Sequence, residues 1–168
     1  MPTLGQVFEA LNQLKAEGVL RDYALGGATA ALFYAEPTRT YDVDVFVLLP
    51  PPTGSILEPL KDIYAWARSR EFVIDAEHIF IHGVPVQFLP AHNALAEDAV
   101  VTARTLEYEG VTVRVIGPEH LVALGFQVGD SRRRERAWQL VESGNVDKAQ
   151  LRSLLSTHGI SQNIDDAQ

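Results

Sequence analysis

The segment Tyr41–Leu49, YDVDVFVLL, constrains this chain more tightly than any other stretch. It is apolar enough for a strand. Period two then places Val43, Val45 and Val47 on one face and Asp42 and Asp44 on the other. Two carboxylates ~6–7 Å apart on one face repel, and partial burial raises the cost of their charge. A strand selected only for packing avoids this arrangement, so something positive is expected to compensate it.

Upstream, Tyr23–Leu25 reads as a short strand, Gly26–Gly27 as a turn, and Ala28–Tyr34 as a small-residue helix closed by Pro37. Glycines at a helix start leave backbone N–H groups bare, and the helix N-terminus favours negative charge. A Gly-Gly turn alone is an ordinary tight turn. Followed by Asp-x-Asp on an apolar strand, it becomes a phosphate cradle beside a divalent-cation site, as nucleoside triphosphate chemistry requires. Mg²⁺ would be held there by one or two carboxylates plus phosphate oxygens. For Thr29 and Thr40, capping or backbone hydrogen bonds and ligand contact remain equal readings.

The remaining pattern alternates helix and strand without repeats. A helix from Thr3, with Gln6 in capping-box spacing, carries Leu4, Phe8, Leu11 and Leu14 inward and ends at Gly18. After the Pro50–Gly54 loop, a helix near Ile56–Arg70 turns Leu57, Leu60, Ile63 and Tyr64 inward. Phe72–Ile81 and Val84–Leu89 form a hairpin at His82–Gly83, Ala94–Ala103 is helical, and Leu106–Tyr108 pairs with Val111–Ile116 around Glu109–Gly110. From Gly117 the pattern is helix only: one helix from Pro118, one over Arg132–Glu142, and one from Asp147, capped with Gln150. The expected class is α+β: a mixed sheet with helices over residues 1–116, a packed helical segment over 117–160, and a frayed tail over 161–168.

Composition narrows the partners. With 168 residues, 46% of them apolar, the chain can bury one good core. Its net charge of −8 gives no overall attraction for nucleic acid or anionic membrane, so an anionic substrate needs a local positive feature or a metal. There is no cysteine, which removes thiolate chemistry and suits a cytoplasmic protein. The first eighteen residues form an amphipathic pattern with acids, so no signal peptide is expected, and no apolar run is long enough to span a membrane.

The segment GGATAALFYAEPTRTYDVDVFV resembles the signature of the small polymerase-β-like nucleotidyltransferases, which has Gly-Gly or Gly-Ser at a helix start and Arg and Thr shortly before Asp-x-Asp. It is most similar to the nucleotidyltransferases of abortive-infection and toxin–antitoxin systems. The likeness continues through VPVQFLPAHNAL and GVTVRVIGPEHLVALGFQVG into the terminal helices. It implies a polymerase-β-like nucleotidyltransferase fold and transfer of a nucleoside monophosphate from an NTP to an acceptor (RNA, protein or small molecule), with pyrophosphate leaving. Asp42 and Asp44 would carry the metal, Mg²⁺ or Mn²⁺. Gly26 and Gly27 would hold the triphosphate, with Thr29, Arg39 and Thr40 assisting. A cognate antitoxin is an implied partner.

The chain departs from that pattern in three places. The third-carboxylate position, on the strand beside Asp-x-Asp, is Gln87, which can neither act as general base nor supply an anionic ligand. The lysine expected after EHL is Gln127, and its acid partner falls within Asp130–Arg136. Arg39 sits one place nearer to Thr40 than the pattern has it. Asp75, Glu77 and His78 read either as surface groups or as the missing acid or base. The run Arg132, Arg133, Arg134 and Arg136 reads as a solvated helix face or as an electropositive cleft wall gripping triphosphate or RNA. The main reading is therefore an enzyme. The alternatives are a lapsed nucleotide-binding regulatory module and an antitoxin-linked interaction protein.

Overall fold

The computed structural model describes residues 4–34, 42–51 and 58–165. Its elements in chain order are α1 (Leu4–Ala16), β1 (Asp22–Gly26), α2 (Gly27–Ala31), β2 (Val43–Leu48), α3 (Lys61–Ser69), β3 (Val73–Asp75) and β4 (His78–Ile81). These are followed by β5 (Val84–Pro90), α4 (Ala94–Val101), β6 (Arg104–Tyr108), β7 (Val111–Val115), α5 (Pro118–Val128), α6 (Ser131–Glu142) and α7 (Lys148–Thr157). The strands form one mixed sheet in the order β3-β4-β5-β2-β1-β7-β6. The pairs β2–β5 and β1–β7 are parallel, and the other neighbours are antiparallel. Helices and sheet are thus intermixed in an α+β architecture.

Strand β2 lies at the centre and uses its two faces differently. Val43, Val45 and Val47 are buried, whereas Asp44 and Phe46 are half-buried. Tyr23 and Leu25 of β1 stand opposite Val47 and Val45, and Val86 and Phe88 of β5 pair with Val43 and Val45, extending the apolar face. Helix α1 closes over it: Tyr23 donates its hydroxyl to Asn12 Oδ1 at 2.6 Å, and Phe8 meets Tyr108 edge to face. Trp66 and Arg70 at the end of α3 reach back to Glu17, each at 2.9 Å. The buried cluster continues without a break into α5, α6 and α7 through Val122, Ala137, Leu140 and Leu151.

Local chemistry explains the boundaries. The hairpin turns His82–Gly83 and Glu109–Gly110 both take left-handed backbone at each residue (φ 49 and 83, 49 and 81), the geometry of a two-residue hairpin turn. Pro118 occupies the first turn of α5, and Gly129 caps its end at φ 78. Asp147 caps α7 by accepting the Gln150 N–H at 3.1 Å, as its spacing indicates.

Three expectations need adjusting. The strand expected over Phe72–Ile81 is broken into β3 and β4, because Ala76 takes φ 53 and turns the chain without a glycine to announce it. Helix α3 begins at Lys61, after Pro59; Leu60 and Tyr64 are half-buried, and Ile63, Trp66 and Ala67 form its buried face. Residues 161–165 are not frayed. Ile164 is 1% exposed, Gln162 accepts from Arg134 at 2.6 Å, and Asp165 pairs with Arg152 at 3.0 Å. Thr3, Pro37, Leu57 and the last three residues lie outside the described residues. No described helix is long and apolar enough to cross a membrane.

Candidate active site

The site is built where β1 hands the chain to α2. Gly26 ends the strand with extended backbone, and Gly27 opens the helix at φ 57. A Cβ on Gly26 would lie 2.6 Å from Phe46 Cε2, and one on Gly27 would overlap Oδ2 of Asp44. The two glycines therefore have separate jobs: the first admits the Phe46 ring, and the second lets backbone lie against the Asp44 carboxylate. Thr29, 1% exposed, donates its hydroxyl to the Asp42 carbonyl at 3.3 Å, tying α2 to the start of β2.

A row of paired residues crosses the sheet at this level. Gly26 faces Asp44, Asp44 pairs with Gln87, Gln87 with His78, and His78 with Asp75. Directly paired residues share a sheet face. The position beside Asp44 is thus filled by Gln87, and an imidazole follows one strand further out. His78 Nε2 lies 3.4 Å from Asp42 Oδ2, and His78 Nδ1 lies 3.8 Å from Glu77 Oε1. His78 is a partner of the aspartate pair rather than an isolated surface group. A two-residue turn at His82–Gly83 sets the β4–β5 register, so this placement opposite Gln87 was available from counting outward from the turn.

The electrostatics carry the tension foreseen for Asp-x-Asp. Burial raises the Asp44 pKa above the ordinary aspartate value, and the Asp42 charge raises it further; Arg133, Arg136 and His78 oppose the shift. The two arginines come from α6, whose N-cap Asp130 accepts the Arg133 N–H at 2.9 Å. The basic run divides by helix geometry. Arg133 and Arg136 line a cavity with Gly27 and Asp44, while Arg134 packs against Phe126 and Arg132 is exposed.

Among the other residues singled out, Gln127 on α5 accepts from Asn93 Nδ2 at 3.3 Å, joining α5 to the start of α4. Glu135 and Asp75 are exposed. Arg39 and Thr40 lie outside the described residues. Among the described residues, no three His, Cys, Asp or Glu side chains cluster closely enough to enclose a metal. Any cation here would rest on the Asp42–Asp44 pair together with ligand oxygens. The aliphatic cavity wall on α5, with Leu121, Leu124 and Val128, is indistinguishable in sequence from an ordinary core stripe.

No protein-family model and no curated protein matches the sequence. The solved structures similar over nearly the whole chain include the following two. One is the solution structure of the antibiotic-resistance factor ANT(2'')-Ia, at 15% identity and a TM-score of 0.55, covering 93% of this chain and 91% of that one. The other is an antigenic nucleotidyltransferase-like protein from Paracoccidioides brasiliensis, at 17% identity and a TM-score of 0.53, covering 92% and 86%. The seven-strand mixed sheet and its helices are those of a nucleotidyltransferase fold.

Proposed function

We propose that the protein is a nucleotidyltransferase, dependent on Mg²⁺ or Mn²⁺, that moves a nucleoside monophosphate from an NTP to an acceptor hydroxyl. One observation carries the reading: the Asp44 carboxylate lies against the bare Gly27 backbone, with Asp42 two residues away and Arg133 and Arg136 across the same cavity. The donor set fits the cation. Two hard carboxylates, one of them made costly by burial and by its neighbour's charge, are what a divalent ion with retained waters and phosphate oxygens accepts. Asp42 and Asp44 would hold it, and when bound it supplies neutralising charge at the phosphates. Gly26 and Gly27, like Arg39 and Thr40, are assigned to the phosphates on the resemblance alone. Thr29 keeps α2 against the aspartate strand.

A second reading has an observation of its own. Gln87 occupies the strand position beside Asp44, and an amide there cannot take the acceptor proton. On that reading the chain binds nucleotide without transferring it. The cytoplasmic setting rests on the cysteine-free composition, the toxin–antitoxin role with a cognate antitoxin as partner rests on the segment resemblance, and both belong to the same proposal.

The experiment is incubation with each labelled NTP and Mg²⁺, scoring label on RNA, on protein and on small-molecule extracts. Transfer that requires the divalent ion and disappears in the Asp42→Asn, Asp44→Asn double variant supports the enzyme. A Mg²⁺-dependent rise in melting temperature with NTP, lost in that variant but unaccompanied by transfer, supports the lapsed binder. Growth arrest on expression, relieved by the same two substitutions, is the expected sign of a toxin.

A further inference from the structure

The cavity that Asp44 shares with α5 and α6, about 210 Å³ in volume, is unlike a general polar cleft. Phe46, Leu89, Leu121, Leu124, Val128 and Leu140 form its walls. Asn93, its uncharged polar side chain, is occupied: its Oδ1 accepts from Ala96 N at 2.8 Å and its Nδ2 donates to Gln127. Of the charged groups, Arg133 is paired with Asp130 at 2.8 Å. Arg136 is half-buried and has no hydrogen bond or ion pair among the described residues.

These features select for one kind of ligand. Buried polar groups cost free energy unless they find partners, and these walls offer few to a nucleobase or a polyhydroxylated ring. A polycation meets two arginines and an Asp44 already engaged in the metal role. A guanidinium in apolar surroundings favours a carboxylate, which it can grip through two parallel hydrogen bonds. We propose that this cavity is the acceptor site and that the acceptor is a small hydroxylated carboxylic acid with an apolar body. Arg136 holds its carboxylate, the aliphatic wall covers its body, and its hydroxyl is presented toward Asp44. The proposal rests on the nucleotidyltransferase reading and adds the acceptor class to it. In the transfer, the acceptor oxygen bonds to the α-phosphorus, and the bond from that phosphorus to the β-phosphate oxygen breaks. Its electron pair leaves with pyrophosphate, and the hydroxyl proton passes to water.

The test measures binding on the full chain, without nucleotide, by melting-temperature shift and ligand-observed NMR. The probes are hydroxyphenylpropionate and hydroxyoctanoate, with their methyl esters and spermidine as contrasts. Both acids are expected to bind, and the esters to bind about tenfold more weakly or worse, as is Arg136→Gln with the acids. Leu124→Trp fills the cavity. Val128→Trp blocks its mouth from a position that is 57% exposed in the native chain and so carries little folding risk. Both should abolish acid binding, and in Val128→Trp the Mg²⁺–NTP shift should persist. Loss of the NTP shift in Val128→Trp would overturn the proposal by making the cavity a nucleotide site. So would failure of both acids to bind, or binding of spermidine in their place. Absence of any Mg²⁺–NTP shift in the wild type would defeat the nucleotidyltransferase reading instead, leaving Arg136-dependent acid binding standing.

Discussion

The two faces of β2 are made from alternate residues of one short strand, yet they obey different rules. Val43, Val45 and Val47 sit in a sealed, largely apolar layer beside Tyr23 and Leu25, where the Tyr23 hydroxyl is satisfied by Asn12 of α1 and packing dominates. Asp44 and Phe46 open onto a cavity, and there the chain keeps a carboxylate that is strained by burial and by Asp42. The sealed face tolerates no charge, whereas the open face retains charge at a cost. A cost retained on one face, where the other shows that the strand can pack perfectly well, is the reason the site is proposed on the open face.

Moving charge to the wrong face is the strongest way to break this contrast. Val45→Asp would place an unpaired carboxylate in carbon surroundings, destabilising the fold by about 4 kcal/mol or more. A domain has only about 5–15 kcal/mol in hand. The expected result is loss of the cooperative transition, or a melting temperature below the growth range, in circular dichroism. A Val45→Asp protein that melts like the wild type would mean that the sealed face is not sealed.

Adding charge to the open face should have the opposite functional sign. Gln87→Glu restores a carboxylate beside Asp44, and general-base assistance is worth about 10²–10⁴ in rate. Single-turnover transfer should rise on that scale while metal-free stability falls slightly, since a third acid joins the row. Gln87→Ala should leave Mg²⁺–NTP affinity nearly unchanged. Fast transfer by the wild type that survives Gln87→Ala would assign the base elsewhere, with His78 the nearest group in the row.

The glycines sharpen the comparison at intermediate scale. Gly27→Ala forces a side chain into left-handed backbone and onto Asp44, and is expected to cost about 1–3 kcal/mol. Gly18→Ala is the control: its φ of 75 is just as left-handed, but the space around it is open, so only the backbone strain of about 1–2 kcal/mol applies. Urea midpoints should fall in both, and the Mg²⁺–NTP shift should vanish only in Gly27→Ala.

Much of this arrangement can be read from residue order, because it rests on short-range rules. Period two separates the aspartates from the valines, the Gly-Gly turn precedes a helix, and the two-residue turns set the hairpin registers. What cannot be read is long-range. His78 reaches Asp42 across the sheet only because β5 pairs in parallel with β2, a pairing that no local signal specifies. The arginine run divides between cavity and surface only because α6 packs on α5 with Gly125 beneath Arg133; a Cβ there would lie 2.9 Å from the Arg133 carbonyl oxygen. The turn at Ala76 was hidden because a non-glycine residue adopts the left-handed backbone.

The smallest expected effect is also the most direct reading of charge strain on the open face. Burial, and then Asp42, hold the folded-state pKa of Asp44 above its ordinary value, so ionising this group disfavours the native state. Where Asp44 is protonated in both states, below the ordinary aspartate range, the penalty is absent. As pH rises from that range through the raised folded value, the unfolded chain releases its proton first and the native state loses stability; above it the penalty is constant. Asp44→Asn removes the ionisation. Without divalent metal, the variant should match the wild type in acid and pull ahead as pH rises, levelling off above the raised folded value. The gain is expected to be on the order of 1 kcal/mol, because Asp44 is only half-buried and Arg133, Arg136 and His78 offset part of the burial and like-charge penalty, or about 2–4 °C in Tm for a chain of this size. Added Mg²⁺ should raise the wild-type Tm toward the variant's and leave the variant unmoved. A wild type more stable than Asp44→Asn at neutral pH without metal would show that Arg133, Arg136 and His78 already compensate the carboxylate, and the case for a cation at this pair would fall with it.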